Sequence, residues 1–322
     1  YDTLPATADP AQRAHRLDNL SVRLSALGRR HDALIASTQA VAVYHRLAAD
    51  SAAFEPDLAR ALSNLGIRHS ALGRWQDAVL ATTEAVEIYH RLAADSATFE
   101  PDLAGSLTNL SGMLSDVGLQ RGALAASTQA VDIRRRLATV HRTPVEPGLA
   151  LALTNHSVVL SKLGREEDAV AASTQAVEAY RHLAATTPTT FEPDLARALT
   201  NLGADLSDLG RLPDALATTA HAVDIHRRLA ATNPAAFEPD LARGLWVYAR
   251  VRAAGKVDLP QAFTAGQASV ALFERLFHQR PSVFTGDLRG ALATVADVLE
   301  GLDRGHDAGG VRRRIDALQP AE

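Results

Sequence analysis

The sequence predicts an all-α solenoid, an array of about seven helix-turn-helix repeats that forms one elongated domain over residues 1–322. Three observations predict it. The phrase Phe-Glu-Pro-Asp-Leu-Ala recurs at residues 54, 99, 191 and 237. An asparagine and a glycine recur nine residues apart in five copies, and the copies are spaced by 45 or 46 residues. A fixed period is the signature of repeat architectures, whose units bury their apolar faces by stacking on their neighbours.

The first helix of each repeat is predicted to begin at the Phe-Glu-Pro-Asp phrase. Pro56 suits the first helical turn, where its missing N–H is not needed. Glu55 and Asp57 place negative charge at the positive end of the helix dipole. Apolar residues follow at helical spacing until Gly73, which is typical of a helix C-terminus.

The second helix is predicted to run from about Trp75 to Ala94, with small and apolar residues such as Ala78 and Ala85 on one stripe. The repeats begin near residues 10, 54, 99, 145, 191, 237 and 284. The last two are degenerate or capping. Val247 replaces the asparagine, and an arginine-rich segment, residues 311–318, ends the array.

Composition excludes several classes of function. The net charge is −4, so no global basic surface for nucleic acid is present, and no run of 18 apolar residues indicates a membrane span. The chain has no cysteine, and its histidines and carboxylates show no metal-ligand spacing. We therefore expect no cofactor, no metal, no nucleic-acid or membrane partner and no enzymatic activity. A reducing compartment is compatible with these features, and we expect a cytoplasmic location.

The repeat resembles the tetratricopeptide repeat, most closely its long-helix form in kinesin light chains and related bacterial proteins. The residues that carry the resemblance in one copy are Leu62, Asn64, Leu65, Gly66, Leu72, Gly73, Arg74, Asp77, Ala78, Ala85, Val86, Ile88, Arg91 and Leu92. It covers residues 12–236 well. The period exceeds the usual length of about 34 residues, which we attribute to longer second helices.

The resemblance implies a right-handed superhelix whose first helices line a concave groove for an extended peptide or protein segment. It also implies that the repeated asparagine bonds the peptide backbone, at Asn19, Asn64, Asn109, Asn155 and Asn201. An amide offers both a donor and an acceptor to a peptide unit.

Comparison of the copies within the chain supports a groove on the same helices. A serine follows each asparagine by six residues, at Ser25, Ser70, Ser115, Ser161 and Ser207, and residue types between these two rows change from copy to copy. The predicted groove also includes the residues Arg60, Arg197, Arg243, Ser63, Thr108, Thr154 and Thr200. Because guanidinium pairs well with carboxylate, the arginines weakly favour an acidic ligand.

Alternatives remain open at this level. The asparagines could bond a neighbouring helix and fix the repeat geometry instead. The chain does not begin with methionine, so we expect a piece of a longer protein, and a sensor or autoinhibitory arm of a signalling ATPase or protease is the second hypothesis. Trp246 and Tyr248 replace polar groove positions and are better explained as core or capping residues than as a pocket.

Overall fold

The computed structural model describes residues 9–141 and 147–318, which are α-helical apart from short turns and two one-turn 3-10 helices. The described residues fall into two compact units that divide between residues 142 and 143. The single domain predicted for the whole chain stays a prediction. The predicted repeat start near residue 145 lies outside the described residues.

The first unit contains three helical hairpins. Its helices are α1 (Pro10–Ala26), α2 (Arg30–Asp50), α3 (Glu55–Ser70), α4 (Trp75–Asp95), α5 (Glu100–Asp116) and α6 (Gln120–His141). Within this unit the backbones of α1 and α3, and of α3 and α5, approach closely, whereas the second helices meet through long side chains, His45 with Glu84 at 3.5 Å and His90 with Gln129 at 3.3 Å. The first helices therefore lie closer together and form the inner side of the stack.

The second unit contains four hairpins built in the same way. Its helices are α7 (Pro147–Lys162), α8 (Glu166–Thr186), α9 (Pro188–Asp208), α10 (Leu212–Thr232), α11 (Pro234–Ala254), α12 (Leu259–Gln279), α13 (Pro281–Gly301) and α14 (Gly305–Ala317). Here too the backbones of consecutive first helices approach closely, whereas the described second helices do not, although Arg314 on α14 pairs with Glu274 on α12. The predicted all-α, tetratricopeptide-like array of seven hairpins is thus confirmed. None of the described helices is long and apolar enough to cross a membrane.

Glycine ends the first helix of five repeats, as the sequence predicted. The backbone φ angles are +74°, +73°, +79°, +68° and +80° at Gly28, Gly73, Gly118, Gly164 and Gly210. Only glycine adopts this left-handed conformation without a steric cost. In the sixth repeat Lys256, nine residues after Val247, takes the same conformation with φ +50°, so the turn keeps its place although the glycine, Gly255, stands one residue earlier.

The glutamate of the Phe-Glu-Pro-Asp phrase has a role beyond the helix dipole. It accepts an ion-paired hydrogen bond from an arginine near the end of the second helix of its own hairpin. The distances are 3.2 Å for Arg91–Glu55, 2.9 Å for Arg136–Glu100, 3.5 Å for Arg228–Glu192 and 2.8 Å for Arg275–Glu238. These exposed pairs contribute at most about 1 kcal/mol each, but they link the two antiparallel helices of four repeats.

The two helices of a hairpin approach each other closely at one buried position. A Cβ placed on Gly66 would lie 2.1 Å from Thr82 Oγ1, and one placed on Gly203 would lie 2.3 Å from Thr219 Cγ2. The corresponding positions elsewhere hold two small residues, in the pairs Ser21 and Ser37, Ser111 and Ser127, Ser157 and Ser173, and Ala249 and Gly266. The pair keeps a small combined volume, so where one helix carries threonine the other carries glycine.

Trp246 and Tyr248 pack as the sequence analysis favoured. Trp246 lies edge-on to Phe273, with ring centroids 6.4 Å apart, and its indole N–H donates to Thr294 Oγ1 at 2.9 Å. Tyr248 is buried and donates its hydroxyl to Gln261 at 3.1 Å. Both rings join the sixth repeat to its neighbouring helices.

Candidate functional site

The candidate site in each unit is the inner face formed by the first helices. Asn19 is exposed there, and Asn64, Asn109, Asn155 and Asn201 are half-buried. The asparagines occupy equivalent positions, because each lies nine residues before the left-handed glycine of the turn that follows its helix.

One predicted groove asparagine is engaged within the protein. The amide Nδ2 of Asn64 in α3 donates to both carboxylate oxygens of Asp18 in α1, at 3.0 and 3.2 Å. Arg60 also bonds Asp18, which is 1% exposed, and reaches Asp57 at 2.8 Å. Asn64 and Arg60 thus neutralise and solvate a buried carboxylate between two neighbouring repeats.

The other asparagines differ in their environment. Asn19 lies 2.9 Å from the imidazole Nε2 of His15, one turn earlier on α1. Within the described ranges, the side chains of Asn109 on α5 and Asn201 on α9 make no hydrogen bond. Their amides are therefore available to an outside partner.

The hydroxyl residues before the asparagines are used within the helices. Thr108, Thr154 and Thr200 each donate to the backbone carbonyl four residues earlier, at 2.7, 2.8 and 2.9 Å. Ser63 lies 2.7 Å from the hydroxyl of Ser106 on α5. Thr108 and Thr200 are also buried, so this row contributes to helix packing.

The two predicted groove arginines of the second unit already have acidic neighbours. Arg197 is paired with Asp194 one turn earlier on α9. Arg243 on α11 lies 3.2 Å from Asp287 on α13. An acidic ligand would therefore have to compete with a carboxylate that is already in place.

Sequence reasoning missed a buried carboxylate on α9. Asp205 is 4% exposed, and its Oδ2 has no hydrogen-bond partner among the described residues. Burial raises the pKa of Asp205 to about 6, while the hydroxyls of Ser173 and Ser161 act in the opposite direction. The available signal was internal, because the residue four positions after the asparagine is Arg23, Arg68, Met113 or Val159 in the other copies and is acidic only here.

A buried histidine was also missed. His226 on α10 is 1% exposed, and its Nε2 lies 3.2 Å from Thr200 Oγ1. Burial lowers its pKa. Gly244 on α11 makes room for the ring, because a Cβ there would lie 2.8 Å from its Cδ2. His226 occupies the position that Tyr180 holds one repeat earlier, so it is a packing residue.

The inner face of the second unit also has a cleft of about 500 Å³ between α11 and α13. Arg250, Lys256, Thr294 and Asp297 supply its polar groups. Arg250 lies 3.4 Å from Asp208 on α9, so this cleft adjoins the α9 face that carries Asn201.

Comparison with known proteins agrees with this architecture. The family model of the tetratricopeptide repeat matches residues 58–95 and 195–233. These segments hold most of α3 with α4, and most of α9 with α10. No curated protein matches the chain in sequence.

Several solved structures share the fold. The putative kinesin light chain repeats of Podosopora anserina are 19% identical, with a TM-score of 0.50 over 70% of this chain and 99% of that one. Aspartyl phosphate phosphatase F of Bacillus subtilis is 12% identical, with a TM-score of 0.65 over 96% of this chain and 70% of that one. A Rap protein complexed with Competence and Sporulation Factor is 12% identical, with a TM-score of 0.53 over 96% of this chain and 98% of that one.

The predicted resemblance is confirmed. The tetratricopeptide-repeat model matches two segments of the chain, and the chain shares its fold with the kinesin-light-chain repeats. At these identities the solved structures show a shared fold and nothing finer.

Proposed function

We propose that this chain is a non-catalytic binding protein, and that the first-helix face of each unit takes an extended peptide or protein segment. The observation that carries the proposal is the state of Asn109 and Asn201. They occupy the same repeat position in different units, on the inner face, and their amides have no hydrogen bond within the described residues. An amide that is half-buried and unpaired is suited to bonding the C=O and N–H of an extended backbone.

The asparagines alone would give weak binding. A net hydrogen bond contributes about 0.5–1.5 kcal/mol, whereas a micromolar complex requires about 8 kcal/mol. Most of the affinity must therefore come from the variable surface beside them. That surface includes partly exposed apolar residues such as Val22, Ile67 and Leu151.

The shared fold supports a binding role. One structure with this fold is a Rap protein complexed with Competence and Sporulation Factor, so that protein holds a ligand. Another is named as a phosphatase, which is a property of that protein. We propose no catalytic role for this chain, and we propose a cytoplasmic location, which cell fractionation would test.

We also propose a preference for acidic ligands, but a weaker one than three unpaired arginines would give. Arg60, Arg197 and Arg243 each have a carboxylate neighbour. An acidic side chain of the ligand would have to share each arginine with the carboxylate already paired with it. We therefore expect only a small preference for acidic ligands.

An array of 12-residue peptides tests the proposal directly. We expect wild-type protein to bind a subset of peptides, and the Asn109→Ala/Asn201→Ala variant to lose most of them. A Gln76→Ala/Gln279→Ala variant is the matched control, because it removes two exposed amides from second helices. Equal binding by all three folded proteins would show that the asparagines do not contact the ligand.

A further inference from the structure

Each unit contains a buried aspartate, and the two aspartates differ in their hydrogen-bond and ion-pair partners. In the first unit Asp18 is paired with Arg60 and accepts two hydrogen bonds from Asn64. In the second unit Asp205 is equally inaccessible, but no described cation is within salt-bridge distance of it and its Oδ2 lacks a partner. Native proteins rarely leave a buried charged group uncompensated, so such a group is a candidate for a function.

Asp205 lies where the α9 face proposed to bind the ligand borders the contact of α9 with α8. Asn201 precedes it by four residues and Asp208 follows it by three, and residues at these spacings share one face of a helix. Asn201 is half-buried and Asp208 is exposed, so both ends of this short row reach the surface. Two hydroxyls lower the pKa of the Asp205 carboxyl, that of Ser173, a buried residue of the second helix α8, and that of Ser161 on the first helix α7, which lies in the predicted serine row.

We propose that Asp205 is the floor of a cation subsite, which receives a lysine or arginine side chain of the peptide bound on the inner face of the second unit. This inference rests on the proposed function and names the chemistry of one position of its ligand. The acidic preference considered above concerns other positions, opposite the arginines.

The surrounding groups favour a cation from outside the chain. The charged groups that influence Asp205 are Asp208, on its own helix, and Arg250 on α11. Arg250 is engaged with Asp208 at 3.4 Å, and it affects Asp205 less than burial does. The subsite is therefore acidic overall, and a guanidinium or ammonium group could bond Oδ2 while the amide of Asn201 holds the adjacent backbone.

The same peptide array tests this subsite. We expect peptides that bind wild-type protein to be enriched in lysine and arginine, and the enrichment to disappear with Asp205→Asn. This change keeps the shape of the side chain and removes its charge. Asp168→Asn is the matched control, because it removes an exposed carboxylate of the same unit from the start of the second helix α8, where it pairs with Arg165.

A pH series with one basic peptide from the array gives an independent readout. The peptide should contain no Asp, Glu or His, so that only the protein titrates. Because burial raises the pKa of Asp205 to about 6, the carboxylate is mostly ionised at pH 7 and mostly protonated at pH 5. We expect binding about tenfold weaker at pH 5 for wild type and for Asp168→Asn, and little change with pH for Asp205→Asn.

The outcomes separate this inference from the proposed function. If peptides bind but Asp205→Asn keeps both the basic enrichment and the pH dependence, the cation subsite is wrong and the groove stands. If no peptide of any composition binds, both are wrong. If the enrichment is lost only with Asp205→Asn, the subsite is supported.

Discussion

Replacing Gly203 with alanine tests the close approach of the two helices in a hairpin. The new Cβ would lie 2.3 Å from Cγ2 of Thr219, whereas two carbons are comfortable at about 3.5–4.0 Å. Thr219 is 1% exposed and β-branched, so its methyl group cannot easily rotate away. The two helices must move apart, or Thr219 must leave its preferred rotamer.

The magnitude follows from two opposing terms. Overpacking of this kind costs about 1–3 kcal/mol, and we expect the upper part of that range because the overlap exceeds 1 Å. Glycine to alanine within a helix returns about 1 kcal/mol. We therefore expect Gly203→Ala to destabilise the second unit by about 2 kcal/mol.

Thr219→Ser supplies the rescue. It removes Cγ2 and keeps the hydroxyl that donates to the carbonyl of Ala215 at 2.8 Å. Alone, it should cost about 1 kcal/mol for a lost buried methyl group. Combined with Gly203→Ala it should return stability to within about 1 kcal/mol of wild type, because the new methyl fills the space of the old one. The coupling energy is then about 2 kcal/mol.

The assay is urea unfolding followed by circular dichroism, with hydrogen exchange of the α9 and α10 amides. Exchange is needed because a repeat array can unfold in parts, and a single transition cannot be assumed. The Gly66 and Thr82 pair in the first unit is an unaltered internal reference. A double variant whose loss equals the sum of the two single losses would refute the close-approach argument.

Three other changes have clear expectations. Asn64→Ala should destabilise the first unit by about 1.5–3 kcal/mol in thermal melts, because the charged Asp18 loses hydrogen bonds. Asn109→Ala should melt like wild type, and an equal loss of stability in the two variants would contradict this. Burial raises the pKa of Asp205 to about 6 in the folded state, so its contribution to stability, full below pH 3.8, is lost as the pH rises through about 6. Asp205→Asn should therefore be more stable than wild type above pH 6, by up to about 3 kcal/mol. A difference in melting temperature between the two proteins that is the same at pH 5 and at pH 7.5 would refute this. Gly118→Ala should cost about 1–2 kcal/mol by chemical denaturation, because its φ is +79°, and an unchanged midpoint would show that this turn adapts.

Much of the fold could be read from the sequence because a hairpin repeat is a local structure. The helix starts at Pro56 and the turn at Gly73 depend on residues close in the chain, and repetition multiplies such local signals. The close-approach pair was also encoded, since Gly66 and Thr82 lie in the same repeat. That these two residues set the distance between the helices became clear only when the structure showed which atoms are in contact.

The sequence by itself determined the repeat, its register and the row of asparagines on the first helices. Only the tertiary structure decided what each asparagine does: Asn64 bonds Asp18, a residue 46 positions earlier in the preceding repeat, while Asn201 makes no hydrogen bond within the described residues. The tertiary structure also decided that Asp205 is buried without a cation. The physical reason is that burial and polar pairing depend on side chains from neighbouring helices, which identical local phrases do not specify.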